Sequence, residues 1–156
     1  RLHYFAEWIS QAHQRNTARE ITEALGGQPI AYQFNLMTSK PEYYAPLKDP
    51  AIFAEIGNIE RRLSAAQHMY VPLAKLTQAQ KELQMGDLIA IVTSHRGLLI
   101  RHVGLVSYLG ERPHLLHASS SFGYVGTTGY TVADYIRRKP YRLGMRVSRP
   151  QAPQCK

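Results

Sequence analysis

The fold of this chain is decided by three segments: GDLIAIVT (residues 86–93), RHVGLVSYL (101–109) and HLLHASSS (114–121). The first two are short runs of β-branched residues and leucine, bounded by Gly and polar residues, which predicts strands. The third has a similar apolar start and ends in serines. We therefore expect neighbouring strands here, with a hairpin between the second and third segments.

Two histidines occupy the apolar strands of this hairpin: His102 opens HVGLV and His117 closes LLHA. A two-residue loop at Leu109-Gly110 would pair Tyr108 with Glu111. This register places His102 directly opposite His117 on one face, with Cβ atoms about 5 Å apart. Leu-Gly is not a favoured pair for such a loop, so neighbouring registers stay open. Two adjacent imidazoles predict a catalytic arrangement, in which one ring is a base and the other orients it.

The composition is that of one globular domain with a basic surface. The chain has 156 residues, of which 44% are hydrophobic, and a mean hydropathy of −0.31. It contains no apolar run of the ~18 residues that would span a membrane. Its net charge of +8 favours an anionic partner, such as nucleic acid, a membrane surface or an acidic cell-wall polymer. Because the basic residues are scattered and no nucleic-acid motif accompanies them, nucleic-acid binding is not favoured.

Local patterns predict an α+β fold, with a mostly helical first half and an antiparallel β second half. Thr17 and Glu20 form a capping box, and Asp49-Pro50 and Thr131 are further helix-start signals. The predicted helices are residues 1–15, 17–25, 49–66, 77–86 and 131–139. Besides the three segments above, the predicted strands are residues 30–36, 124–125 and 141–147.

Cys155 is the only cysteine, which excludes an internal disulfide. It lies in the Pro-rich tail at residues 151–156, a poor context for a pre-organised nucleophile. The sequence begins at Arg1 and shows no signal-peptide pattern, so we expect a piece of a longer product.

In order and spacing, GDLIAI, HVGLV, LLHASS, GYV and RLGMRVSRP (within residues 86–150) resemble the NlpC-type cell-wall hydrolases. In the first half, RLHYFAEWI, FNLMTS and IERRL resemble the N-acetylmuramoyl-L-alanine amidase-like branch. The resemblance implies a papain-like core, an antiparallel sheet packed with helices, with helical elaborations in the first half. It further implies a single domain over residues 1–150 that lacks its N-terminal nucleophile helix, followed by the tail.

The implied activity is a cysteine-dependent amidase that cleaves the bond between N-acetylmuramic acid and L-alanine of the stem peptide. His102 matches the general base of the family, and His117 matches the residue that orients it. The implied partner is peptidoglycan or its muropeptide fragments, the implied location is periplasmic or exported, and no cofactor is implied.

The family nucleophile lies upstream of both histidines, and residues 1–156 contain no such cysteine. We expect it outside these residues, because Cys155 fits only a permuted arrangement. The alternatives are an endopeptidase that cuts within the stem peptide and an inactive module that binds the cell wall.

Further side chains are candidates for substrate contact or metal binding. Tyr4 and Tyr124 could stack on sugar or peptide, and Ser119 could bond substrate from a strand end, whereas core packing is expected for Trp8. No metal site is predicted from His95, His102, His114 and His117, because His114 and His117 point to opposite faces of a strand. Asp87 is expected to bond nearby backbone at the start of its strand.

Overall fold

The computed structural model describes residues 2–121 and 123–152. Its α-helices are α1 (Phe5–Gln14), α2 (Leu36–Ser39), α3 (Pro50–Ala65), α4 (Leu76–Ala79) and α5 (Val132–Arg137). Its strands are β1 (Ala18–Glu20), β2 (Gln28–Ile30), β3 (His68–Pro72), β4 (Leu88–Thr93), β5 (Ile100–Leu109), β6 (Arg112–Ser119), β7 (Tyr124–Thr131) and β8 (Arg142–Pro150). Short 3-10 turns lie at Pro41–Tyr43, Ala45–Lys48, Leu73–Lys75 and Gln80–Glu82. Within the described ranges, no helix is both long enough and apolar enough to cross a bilayer.

The strands form one eight-stranded sheet in the order β2-β3-β8-β4-β5-β6-β7, and β1 also pairs with β8. Every ladder between these strands is antiparallel. β1 and β3 share one edge of β8, where β1 pairs with residues 148–150 and β3 with residues 144–145. An antiparallel sheet packed with helices is therefore confirmed.

Two hydrophobic cores lie on opposite faces of the sheet, because successive side chains of a strand alternate between faces. On β4, Ile89 and Ile91 belong to the first core, and Ala90 and Val92 belong to the second. The first core includes side chains of α4 and α5. The second includes side chains of α1, α2 and α3. The helices therefore cover the sheet from both sides.

The predicted starts of α3 and α5 are confirmed. Asp49 Oδ1 accepts the backbone N–H of Ala51 at 2.8 Å, with Pro50 at the first helical position. Thr131 Oγ1 accepts the backbone N–H of Asp134 at 3.2 Å. Both signals act within a few residues, so the local sequence suffices for them.

The predicted helix at residues 17–25 is wrong. Ala18–Glu20 is strand β1, and the Thr17 hydroxyl donates to the carbonyl of Ala12 at 3.2 Å instead of capping a helix. The predicted strand at residues 30–36 reduces to Ile30 at the end of β2 and an isolated bridge between Phe34 and Gly97. β3 was not predicted. Strands this short depend on the strand beside them, so tertiary pairing outweighs local propensity.

The predicted core position of Trp8 is also wrong. Its side chain is 54% exposed, whereas Tyr4 is 1% exposed. Helix α1 turns Ala6 and Ile9 toward the protein and leaves Trp8 outside, where the indole Nε1 donates to the carbonyl of Leu2.

Candidate active site

The β5–β6 hairpin turns at Gly110-Glu111, so the predicted loop at Leu109-Gly110 is wrong. Leu109 pairs with Arg112 and Tyr108 pairs with Pro113. Gly110 is the first central residue of the turn and has φ of 61°. Type II′ hairpin turns favour glycine there, because this position requires positive φ. The predicted loop would have put Leu109 in that position.

The observed register differs from the predicted one by two residues, which leaves every side chain on its predicted face. His102 and His117 therefore share a face as diagonal neighbours instead of lying directly opposite. Their rings are hydrogen bonded, with 2.7 Å between His102 Nε2 and His117 Nδ1. The rings are nearly perpendicular, and their centroids lie 4.8 Å apart.

Two strand irregularities flank the end of β4 beside this pair. Between β4 and β5, Ile91 pairs with His102 but Val92 pairs with Ile100, so Arg101 is an extra residue. Between β4 and β8, Val92 pairs with Gly144 but Thr93 pairs with Arg142, which makes Leu143 an extra residue. An extra residue reverses the face of the side chains beyond it. Arg142 consequently lies on the face that carries His102 and His117.

Tyr135 and Arg142 complete the surroundings of the histidines. The Tyr135 ring, on α5, has its centroid 5.2 Å from that of His117 and 6.4 Å from that of His102. The Arg142 guanidinium carbon lies 4.4 Å from the Tyr135 ring centroid, and Nη1 donates to the Tyr135 carbonyl at 2.5 Å. Neither residue was predicted from the sequence. No local pattern marks Arg142, because its face is set by the irregularity between β4 and β8.

Burial and positive charge keep both imidazoles neutral near pH 7. Burial, the neighbouring His117 and the Arg142 guanidinium together lower the pKa of His102 to about 4. Burial and Arg142 also lower the pKa of His117. A neutral imidazole has one N–H donor and one acceptor nitrogen. If His102 Nε2–H donates to His117 Nδ1, then His102 Nδ1 carries the lone pair that a general base needs.

Ser119 and Tyr124, two of the predicted substrate contacts, lie at the end of the sheet that carries His102 and His117. They pair across β6 and β7, two residues beyond the pair formed by His117 and Gly126, and so share the face of His117. The Tyr124 side chain is 64% exposed. Its ring occupies the space beside Gly126, where an added Cβ would approach a ring carbon to 2.6 Å.

Tyr4, the third predicted substrate contact, is not brought to the histidines. It belongs to the second core, on the other face of the sheet. Its hydroxyl donates to the Glu60 carboxylate and accepts the backbone N–H of Met37 at 3.0 Å. Burial and the hydrogen bond to Glu60 raise the pKa of the phenol.

The remaining candidates have structural partners. His114 Nδ1 donates to the carbonyl of Thr128 at 3.0 Å. Asp87 accepts the backbone N–H of Gln84 at 2.8 Å, as predicted, and also forms an ion pair with Arg149. In residues 2–121 and 123–152, no three His, Cys, Asp or Glu side chains are grouped as metal ligands. Cys155 lies outside the described residues.

The chain that has this fold and this histidine pair is similar to known proteins. Residues 1–145 match the N-acetylmuramoyl-L-alanine amidase-like family, and the chain belongs to that family. The predicted resemblance to this branch is thereby confirmed. No curated protein matches the chain.

Solved structures from Bacteroides are similar over nearly the whole chain. An N-acetylmuramoyl-L-alanine amidase from Bacteroides uniformis has a TM-score of 0.88 and 30% identity, covering 97% of this chain and 65% of that one. A further structure of a Bacteroides uniformis amidase has a TM-score of 0.88 and 29% identity, covering 97% and 66%. A Bacteroides fragilis protein provisionally named a xylanase has a TM-score of 0.87 and 31% identity, covering 96% and 66%. The chain thus spans slightly less than two thirds of the length of each.

Proposed function

We propose that this chain provides the histidine pair of a cysteine-dependent N-acetylmuramoyl-L-alanine amidase with a papain-like core of the NlpC type. The substrate bond is the amide between the lactyl group of N-acetylmuramic acid and L-alanine of the stem peptide. The observation that carries the proposal is the 2.7 Å hydrogen bond between His102 and His117, in a chain of the amidase-like family. Peptidoglycan lies outside the inner membrane, so the proposal includes a periplasmic or exported location.

In the proposed reaction, His102 Nδ1 takes the thiol proton and the thiolate attacks the amide carbonyl carbon. The C–N bond then breaks, and His102 returns the proton to the departing nitrogen of L-alanine. Water then attacks the thioester carbonyl carbon while His102 accepts its proton. The C–S bond breaks, His102 returns that proton to the sulfur, and the lactyl carboxylic acid leaves, which regenerates the thiol. His117 Nδ1 accepts the Nε2 proton of His102 throughout, and so holds the ring and its tautomer.

The nucleophile in this proposal is a cysteine outside residues 1–156, because the Pro-rich context of Cys155 is unsuited to the role. In this proposal the thiolate is the nucleophile and also stabilises the protonated form of His102, whose pKa is low. Burial and Arg142 disfavour the imidazolium, so a thiolate beside Nδ1 would supply the negative charge that stabilises it.

The test is digestion of a defined muramyl tripeptide by the full-length protein, with the product masses as readout. An amidase releases a peptide that begins with L-alanine, and alkylation of the thiol abolishes this product. An intact mass after alkylation, followed by peptide mapping, identifies the reacting cysteine. The matched control is His102→Gln, which keeps a polar side chain without the base.

Other outcomes of this experiment would contradict the proposal. Fragments cut within the stem peptide indicate an endopeptidase. Retention on peptidoglycan without any product indicates a binding module. Shortened glycan chains indicate a glycosidase, which uses a pair of carboxylates at its site. Full activity in protein whose only alkylated thiol is Cys155 would overturn the external nucleophile.

A further inference from the structure

Arg142 is a buried cation beside the histidine pair. Only 9% of the residue is exposed. Its guanidinium donates to the carbonyl of Tyr135, lies 4.4 Å from the Tyr135 ring centroid and 6.0 Å from the Tyr141 ring centroid, and acts electrostatically on His102 and His117. These contacts orient the guanidinium but bring it no negative charge.

Arg146, four residues along β8, shows the usual arrangement for an equally buried arginine. It is also 9% exposed, and its Nη2 lies 2.6 Å from Glu20 Oε2. Buried charges are costly unless they are paired, so an arginine in this environment normally has a carboxylate partner. Among the described residues, the ion pairs involve Arg62, Arg137, Arg146 and Arg149 but not Arg142.

The neighbours of Arg142 add positive charge to this end of the sheet. Arg101 Nη1 donates to His95 Nε2, and both residues lie against the Tyr141 ring. We call Arg101, His95, Tyr141, Arg142 and Tyr135 the cation–aromatic cluster. It joins the histidines through Tyr135, whose ring centroid lies 5.2 Å from that of His117 and 4.4 Å from the Arg142 guanidinium carbon. The cation–aromatic cluster therefore brings positive charge close to the histidine pair.

Resting on the proposed function, we propose that Arg142 binds the α-carboxylate of the stem-peptide residue that follows L-alanine, on the leaving-group side of the scissile amide. In a stem peptide whose second residue is acidic, a carboxylate lies within a few bonds of the departing nitrogen of L-alanine. A guanidinium has five N–H donors in a planar fork that suits bidentate binding of a carboxylate. One of these donors is bound to Tyr135, and the others provide the fork.

The test compares two muramyl dipeptides whose second residue carries either a free α-carboxylate or a carboxamide. For the full-length wild-type protein, we expect a kcat/KM about ten-fold higher on the carboxylate, expressed mainly in KM. Arg142→Met should lower kcat/KM about ten-fold for the carboxylate dipeptide and change it little for the carboxamide dipeptide. The preference between the two substrates is then lost. Arg142→Lys should keep part of the preference, because an ammonium is a single charge without the fork.

Arg146→Met is the matched control. It removes an equally buried arginine from the same strand, so it should lower stability but retain the carboxylate preference. Equal kcat/KM for the two substrates in wild type, or a preference that survives Arg142→Met, would overturn the inference. If Arg142→Met fails to fold, Arg142→Lys is compared with wild type. A carboxylate preference that is unchanged in Arg142→Lys would overturn the inference.

Binding to His102→Gln separates this inference from the proposed function. We expect tighter binding of the carboxylate dipeptide, and loss of that difference when Arg142→Met is added. This result without hydrolysis by wild type would support the arginine site and contradict the amidase. Equal binding of both dipeptides would overturn the arginine site while leaving the amidase to its own test.

Discussion

His102 Nε2 and His117 Nδ1 lie 2.7 Å apart although the two residues are not directly opposed on β5 and β6. Extending the ladder places Gly104 opposite His117 and Ser119 opposite His102. Because residue 104 has no side chain, nothing on β5 stands beside His117 in the way of the His102 ring. The hydrogen bond engages Nε2 of His102, and Nδ1 is the nitrogen that acts as the base in the proposed reaction.

Replacement of the two histidines should have unequal effects on the proposed activity. We expect His102→Gln to lower kcat by a factor of about 10² to 10⁴, the usual contribution of a general base. His117→Asn should lower kcat less than His117→Ala does, because the amide oxygen of the asparagine can accept the hydrogen bond from His102 Nε2. The measurement is kcat per folded protein on a muramyl peptide. His114→Gln is the control, and comparable loss in that variant would contradict the assigned roles.

Stability should fall on mild acidification because His102 is harder to protonate in the folded chain than in the unfolded one. Its folded pKa is about 4, against an ordinary value of 6.5, with His117, Arg142 and Tyr135 around the ring. Between these values the unfolded chain binds more protons, so the stabilisation is complete above pH 6.5 and is lost as the pH falls toward 4. The effect is on the order of 2 kcal/mol.

Urea unfolding from pH 7.5 to pH 4.5 measures this effect, with His102→Gln as the comparison. The other titrating groups, including His68 with its burial-lowered pKa, are present in both proteins. The difference between the two pH profiles therefore reports His102 together with its coupling to His117. Identical profiles would show that His102 titrates normally.

Gly104→Ala should disturb the hairpin that carries the histidines. A Cβ at this position would lie 2.7 Å from the Leu115 side chain and 2.8 Å from the carbonyl oxygen of Leu116. We expect a loss of about 1–3 kcal/mol of unfolding free energy, as for other overpacked sites. Gly129→Ala is the matched control in the same sheet, because a Cβ there meets no atom within 4 Å. Its effect should stay within about 0.5 kcal/mol, and equal losses would contradict the steric explanation.

Tyr4→Phe tests whether Tyr4 contacts substrate or supports the second core. Its hydroxyl binds Glu60, which also accepts the backbone N–H groups of Met37 and Thr38 at 3.0 and 3.1 Å. Removal of the hydroxyl leaves a buried carboxylate with one partner fewer, so we expect a loss of about 1–3 kcal/mol and an unchanged KM. Tyr43→Phe, at a position that is 73% exposed, is the control for stability. A raised KM with unchanged stability would support substrate contact.

Much of the fold was predictable because its signals are short-range. The caps at Asp49 and Thr131, the apolar runs of β4 and β5 and the final strand depend on neighbouring residues or on a period of two. The same period placed His102 and His117 on one face, and a register error of two residues did not change that. The short strands β1 and β3 were missed, because their pairing with β8 joins residues more than 70 positions apart.

The sequence by itself determined that two histidines share a face of a hairpin, since side-chain alternation along a strand is intrinsic to the backbone. Only the tertiary structure decided which side chains join them. The extra residues Arg101 and Leu143 arise where β4 meets β5 and β8, and the second of these turns Arg142 toward the site. Tyr135 arrives there because α5 packs on the first core. These contacts depend on how distant strands and helices fit together, and a local pattern carries no signal for that.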